Sequence, residues 1–153
     1  MMEFRTLVPL CLVATAIGCA DHGGPVGDVD YWITGPIGQT DGTALHIGPD
    51  GDATRSVPSG NTQTTVLDPH AVADLHTKID AAQFPDLAPL YACTGLCPDI
   101  ASNVLHVTVR LGGHPYTSAA DSWYLSSTHG NVPAGLVTTI QALQQIFDQA
   151  DWH

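Results

Sequence analysis

The sequence predicts an α+β domain, a mainly antiparallel sheet with two helices packed on one face. Three features carry this expectation. Apolar residues alternate with polar ones along several short segments, turn-forming residues join those segments at close range, and two longer stretches repeat their apolar residues every three or four positions. The segments run strands, helix, strands, helix, an order that segregates helices to one side of a sheet built from neighbouring strands.

In the first strand, Val29, Tyr31 and Ile33 alternate with Asp30, Trp32 and Thr34 and stop at Gly35-Pro36. A hairpin follows, with arms Thr43 to Ile47 and Ala53 to Val57 around Pro49-Asp50-Gly51. There proline presets one turn dihedral and glycine accepts positive φ. The polar stretch Pro58 to Thr62 leads to an extended piece, Thr64 to Leu67. Asp68-Pro69 then opens a helix: the aspartate caps free N–H groups, proline suits the first helical position, and Val72, Leu75, Ile79 and Ala82 share one face. Pro85 ends it. The irregular stretch to Pro98 also contains Pro89, Cys93 and Cys97.

The strongest strand signal is Leu105, Val107, Val109 and Leu111 on one face against Val104, His106, Thr108 and Arg110 on the other. Gly112-Gly113 turns the chain, and Tyr116 to Leu125 pairs back, with an interruption expected at Ala119-Ala120-Asp121. From Pro133, Leu136, Val137, Ile140, Leu143 and Phe147 describe an amphipathic final helix, with Gln141, Gln144, Gln145 and Asp148 outward.

Ahead of this domain, Met1 to Arg5 form a short n-region with one basic side chain and Leu7 to Ile17 an uncharged run of eleven residues, the layout of a secretory signal. The run is far short of the roughly 20 apolar residues that span a bilayer. The segment Ala16-Ile17-Gly18-Cys19 resembles the lipobox of bacterial lipoproteins, although that family prefers Leu where Ala16 stands. The resemblance implies cleavage before Cys19, lipid on its thiol, and attachment to the cell envelope. An ordinary secretory signal with a chance cysteine is the alternative. Residues 1–18 are thus expected to be a signal peptide, 19–28 a Gly-, Pro- and Asp-rich tether, and 29–153 a single domain. By analogy with sorting signals in Gram-negative lipoproteins, Asp21 standing one place beyond the residue after Cys19 points to the outer membrane.

Cys11 leaves with the signal and Cys19 takes lipid, so Cys93 and Cys97 remain. In an oxidising envelope a disulfide between them is expected; zinc binding with histidines is the competing outcome. The mature chain carries fourteen aspartates against Arg55, Lys78 and Arg110, a formal charge of −11. Nucleic acid and anionic lipid headgroups are poor partners for such a surface, so membrane attachment falls to the acyl chains.

No catalytic constellation emerges, and neither an enzymatic activity nor a cofactor is expected. His70 and His76 lie six residues apart on one helix and face different sides. His106 projects from the polar face of its strand. Ser126, Ser127 and His129 lack the G-x-S-x-G turn of a strained nucleophile. Asp50-Gly51-Asp52 lacks the further spaced oxygens of a calcium loop, and Gly35 to Gly42 joins two strands instead of opening a helix as a phosphate loop does.

The sequence Ile33-Thr34-Gly35-Pro36-Ile37-Gly38, Ala73-Asp74-Leu75 followed by Ala82-Gln83-Phe84-Pro85, the strand Val107-Thr108-Val109 and the helix from Pro133-Ala134-Gly135-Leu136 resemble emfourin-type (protealysin inhibitor-like) domains. The resemblance covers roughly Asp30 to Phe147 as a pattern of elements. It departs from the family in having Pro36-Ile37-Gly38 where an aromatic often follows paired glycines, and in adding the Cys93 to Cys97 segment. It implies a non-enzymatic domain that binds an envelope or secreted protein. A thermolysin-like metallopeptidase is the implied target, contacted through Gly35, Pro36, Ile37, Gly38 and Asp41. A structural envelope lipoprotein is the alternative, and convergence of His46, His106 and the cysteines would favour a metal-binding or hydrolytic protein.

Overall fold

The computed structural model describes residues 24–35, 38–92, 102–126 and 131–153. The signal segment, Cys19, Pro36, Ile37, Cys93, Cys97, Ser127 and His129 lie outside the described residues. Six strands form one antiparallel sheet: β1 (Val26–Thr34), β2 (Thr40–Ile47), β3 (Asp52–Ser56), β4 (Thr62–Val66), β5 (Val104–Leu111) and β6 (His114–Asp121). Their spatial order is β4-β3-β2-β1-β5-β6. Helices α1 (Pro69–Ala82) and α3 (Ala134–Gln149) complete the α+β architecture, with a short α2 (Ser122–Ser126) after β6.

Register explains why one side of the sheet is sealed. Val29 lies opposite Ile47 and Val109, and Tyr31 opposite Leu45 and Val107, so the apolar phases of adjacent strands fall on the same face. That face meets Val72, Leu75 and Ile79 of α1 and Leu136, Ile140 and Leu143 of α3 in one continuous core. Both helices therefore pack on one face, as the sequence predicts.

Local chemistry sets the element ends. Asp68 accepts a hydrogen bond from the His70 N–H at 2.8 Å, and Pro69 occupies the first turn of α1. At the other end Gln83 adopts a left-handed conformation (φ 53°), and its side-chain amide donates to the Asp80 carbonyl at 2.7 Å. Pro85 then falls in a 3-10 turn, Phe84–Asp86, that buries Phe84 in the core. Gly112 and Gly113, at φ 56° and 86°, supply the two consecutive positive dihedrals of a two-residue hairpin.

The two helices approach most closely at Gly135. A side chain there would place its first carbon 2.5 Å from the Ala82 Cα, so only glycine lets the start of α3 lie on the end of α1. One turn later the fully buried Thr139 hydroxyl donates to the Gly135 carbonyl at 2.9 Å and lies 3.4 Å from the Lys78 carbonyl, which keeps a polar atom satisfied at the crossing. At its far end α3 is held by Arg55 of β3. Its guanidinium donates to the Phe147 carbonyl and stacks over the Phe147 and Trp152 rings, 5.3 and 4.8 Å from their centroids.

Three boundaries differ from the sequence expectation; one is the return strand expected to reach Leu125, which ends at Asp121 and gives way to the short α2. The first strand begins at Val26, so the last residues assigned to the tether belong to the sheet; the Pro25 carbonyl accepts the Gly112 N–H at 3.0 Å and pins this entry to the β5–β6 turn. Strand β6 runs unbroken through Ala119-Ala120-Asp121, because Tyr91 pairs with its outer edge through Tyr91 N–H to Ala119 carbonyl (2.8 Å) and Asp121 N–H to Tyr91 carbonyl (3.0 Å). The other edge is treated likewise: Thr64 of β4 exchanges two 3.0 Å backbone bonds with His153. These partners reduce the unpaired backbone offered to a foreign strand.

Tyr31 places a phenol in the core. Its ring is buried, and its hydroxyl meets the Gln144 side chain only outside good hydrogen-bond geometry. Burial pushes its pKa up to about 12; the Gln144 side chain pulls the other way, and the charges of Asp41 and Asp148 add to the rise. The folded state therefore holds this proton more tightly than the unfolded chain. The resulting stability is present below pH 10 and is lost as pH rises through about 12. Tyr31→Phe removes both the hydroxyl and the titration. We expect it to be neutral or stabilising by about 1 kcal/mol at pH 7 in urea melts, and to flatten the loss of stability above pH 10. A variant destabilised at neutral pH, with unchanged alkaline sensitivity, would contradict this assignment.

Candidate functional site

The face of the sheet turned away from α1 and α3 carries the polar phase of each strand. Register lines these residues into rows. Thr64, Thr54, His46, Asp30, Thr108 and Thr117 stand opposite one another from β4 to β6. The adjacent row is Thr62, Ser56, Ala44, Trp32, His106 and Ala119.

Neighbours within the rows interact directly. His46 Nδ1 donates to Asp30 Oδ1 at 2.8 Å, and the Thr108 and Thr117 hydroxyls share a 2.7 Å hydrogen bond. The indole of Trp32 stacks on the imidazole of His106, with centroids 4.9 Å apart and planes 4° from parallel. His106 Nε2 is held in turn by the Thr34 hydroxyl at 2.9 Å. One side of the indole is thus covered by a ring that is itself tethered. Burial lowers the His106 pKa, which favours the neutral imidazole in this stack.

On the other side of Trp32 stands Ala44, whose methyl group is too small to cover the half-buried indole among the described residues. The result is a depression of about 580 Å³ lined by Trp32, Ala44, Asp30, His46, Thr54 and Ser56, with Thr40, Gly42 and Thr108 at its margins. His106 is not part of that lining, so the depression lies on the free side of Trp32.

A bulge shapes one end of this depression. Trp32 pairs with Ala44 but Thr34 pairs with Thr40, so β2 carries two extra residues there. Asp41 Oδ1 accepts the Thr43 N–H at 2.7 Å, and Gly42 takes φ 87° with its α-carbon face against the Pro58 backbone. Asp41 and Gly42 are therefore strand residues, which leaves residues 35–39 to connect β1 and β2. Within this connection Gly35 N–H donates to the Gln39 carbonyl at 2.8 Å and Gly38 N–H to the Gly35 carbonyl at 2.9 Å.

The remaining candidates are dispersed. His70 and His76 sit on α1, the first exposed and the second partly buried, away from the sheet face. Asp50 occupies an exposed turn closed by the Gly51 N–H and Gly48 carbonyl at 3.0 Å. His106 projects from the strand face opposite the apolar one, as its alternation predicts. Among the described residues no group of three His, Cys, Asp or Glu side chains stands close enough to hold a metal ion, and no helix is long and apolar enough to cross a membrane. No known protein family and no curated protein matches this chain in sequence.

Trp32, Ala44 and the Asp30–His46 pair were not apparent as a site from the sequence. The available signal was a tryptophan in the polar phase of an amphipathic strand, where burial in the core does not account for it. The stack also makes a measurable prediction. His106 is neutral in the fold and stabilises it above pH 6.5; this contribution is lost as pH falls through the lowered folded pKa. Protonation of an imidazole against an indole quenches emission, so tryptophan fluorescence should fall on acidification with a midpoint below 6.5, and His106→Gln should abolish that phase. A midpoint at or above 6.5 would contradict a buried neutral stack.

Proposed function

We propose that the chain is a cell-envelope lipoprotein, anchored through Cys19, whose domain binds a partner and presents the helix-free sheet face and the adjoining 35–39 turn outward. The polarity of β1 supports this reading most directly. The strand starts at Val26, seven residues beyond Cys19, and ends at Thr34 beside the turn and the depression. A tether of that length reaches at most roughly 25 Å, while the strand itself spans nearly 30 Å. The anchored end and the candidate recognition end are thus opposite ends of one rigid strand near the middle of the sheet. The acidic surface is consistent with attachment by lipid instead of by the protein face. An outer-membrane location, from the position of Asp21, and a disulfide between Cys93 and Cys97, from export to an oxidising compartment, form part of the same proposal.

Inhibition of a thermolysin-like metallopeptidase is the narrower version, suggested by the emfourin resemblance. The ends of the connection favour it, because two backbone hydrogen bonds tie Gly35 to Gln39 and Gly38 before binding and so reduce the ordering cost. Asp41 is less suited than a free loop carboxylate, since one oxygen already accepts the Thr43 N–H.

Cys19→Ser should abolish incorporation of labelled fatty acid and release the protein from the membrane fraction; unchanged labelling contradicts the anchor. Purified protein should slow a thermolysin-like enzyme at near-stoichiometric amounts, with Asp41→Ala and Ile37→Ala together weakening the effect and leaving the thermal transition in place. Full peptidase rates across a panel of such enzymes would remove the inhibitor reading and leave the anchored binding domain.

A further inference from the structure

We infer that the depression beside Trp32 binds the ring of a neutral pyranose sugar, an assignment that names the ligand of the sheet face proposed above and so rests on that reading. A pyranose presents one face of C–H groups and a rim of hydroxyls, and the depression carries the complement of both. Its wall is the uncovered face of an indole, an apolar plane suited to stacking on a flat C–H surface. The plane is fixed before any ligand arrives, because His106 stacks behind it and Thr34 holds His106. Preorganisation of this kind lowers the ordering cost of binding.

Ala44 makes the room. It stands directly opposite Trp32, and a larger side chain there would cover the indole as His106 covers the other side. The space of about 580 Å³ falls within the roughly 300–1,000 Å³ of small-molecule sites.

Polar groups of the right kinds line it. Asp30 offers carboxylate acceptors, Thr54 and Ser56 offer hydroxyls that donate or accept, and His46, oriented by its bond to Asp30, offers its second ring nitrogen. Charge narrows the class: Asp30 within the site, Asp41 in the bulge beside it and the chain's formal charge of −11 disfavour uronates and sugar phosphates. A quaternary ammonium ion is the other ligand that stacks on an indole near a carboxylate. The hydroxyl-bearing rows around the indole favour the sugar, because a cation of that type uses no hydrogen-bonding groups.

The test is saturation-transfer NMR on the full-length protein in a detergent without a sugar headgroup. Glucose, galactose, mannose and N-acetylglucosamine are the probes, with glucuronate and choline as contrasts. At least one neutral sugar should receive transfer through its ring C–H protons, with affinity in the millimolar range expected of one ring on a shallow site. Ala44→Leu fills the depression while leaving the Trp32–His106 stack in place, and should weaken binding by about tenfold or more; Trp32→Ala should do the same. The thermal transition of each variant shows whether it folds, and if Trp32→Ala does not, Ala44→Leu carries the result. The inference is overturned if no neutral sugar receives transfer, if binding survives Ala44→Leu, if glucuronate binds as well as the neutral sugars, or if choline alone binds. Any of these outcomes leaves the anchor and the inhibitory turn untouched, since those depend on Cys19 and on peptidase rates.

Discussion

The contact on which the architecture depends is the crossing of α1 and α3 at Gly135. The core requires both helices to lie on the same face of a six-stranded sheet, and two helices side by side can cover that face only if they pack closely. Glycine against the Ala82 backbone, followed by the satisfied hydroxyl of Thr139, permits that approach. Arg55 secures the distant end of α3 by meeting the Phe147 carbonyl with a cation, the charge a helix C-terminus favours. The fully buried apolar residues of the central strands lie on this side, and the polar phase, with Trp32 and Ala44 among it, is left for the other.

The uncovered face then follows from register. Antiparallel pairing of β1 with both β2 and β5 aligns Trp32 between Ala44 and His106, one partner too small to cover the indole and the other well placed to stack on it. The same pairing unites Asp30 with His46. The bulge at Asp41-Gly42 bends the end of β2 next to the depression, and the Asx bond that stabilises it removes one oxygen of Asp41 from other uses. The features proposed for recognition are thus by-products of how the strands pair, held by the same hydrogen bonds that hold the fold.

Local signals made most of the fold legible. Asp68-Pro69 and the apolar spacing behind it define α1, the Gly112-Gly113 pair defines the β5–β6 hairpin, and strict alternation from Leu105 to Leu111 assigns every face of β5 correctly. Discrepancies arose where a distant partner decides the outcome. Val26 enters the sheet because Pro25 meets Gly112, and Ala119 to Asp121 stay extended because Tyr91 pairs with them. The sheet-face site was hidden for the same reason. Each of its residues looks like an ordinary solvent-facing position, and only the pairing of β1 with β5, more than seventy residues away along the chain, brings His106 against Trp32.

The central claim is that two helices seal one face of the sheet and, among the described residues, leave the other open around Trp32, with alternate residues of a single strand on opposite sides of that boundary. Hydroxyl-radical footprinting of the purified protein, read by mass spectrometry, tests it most directly at adjacent aromatic residues. Trp32 should oxidise readily together with His46, while Tyr31, one position earlier in β1, should be protected until the protein unfolds. Equal protection of Trp32 and Tyr31, or ready oxidation of Tyr31 in the native state, would contradict the account.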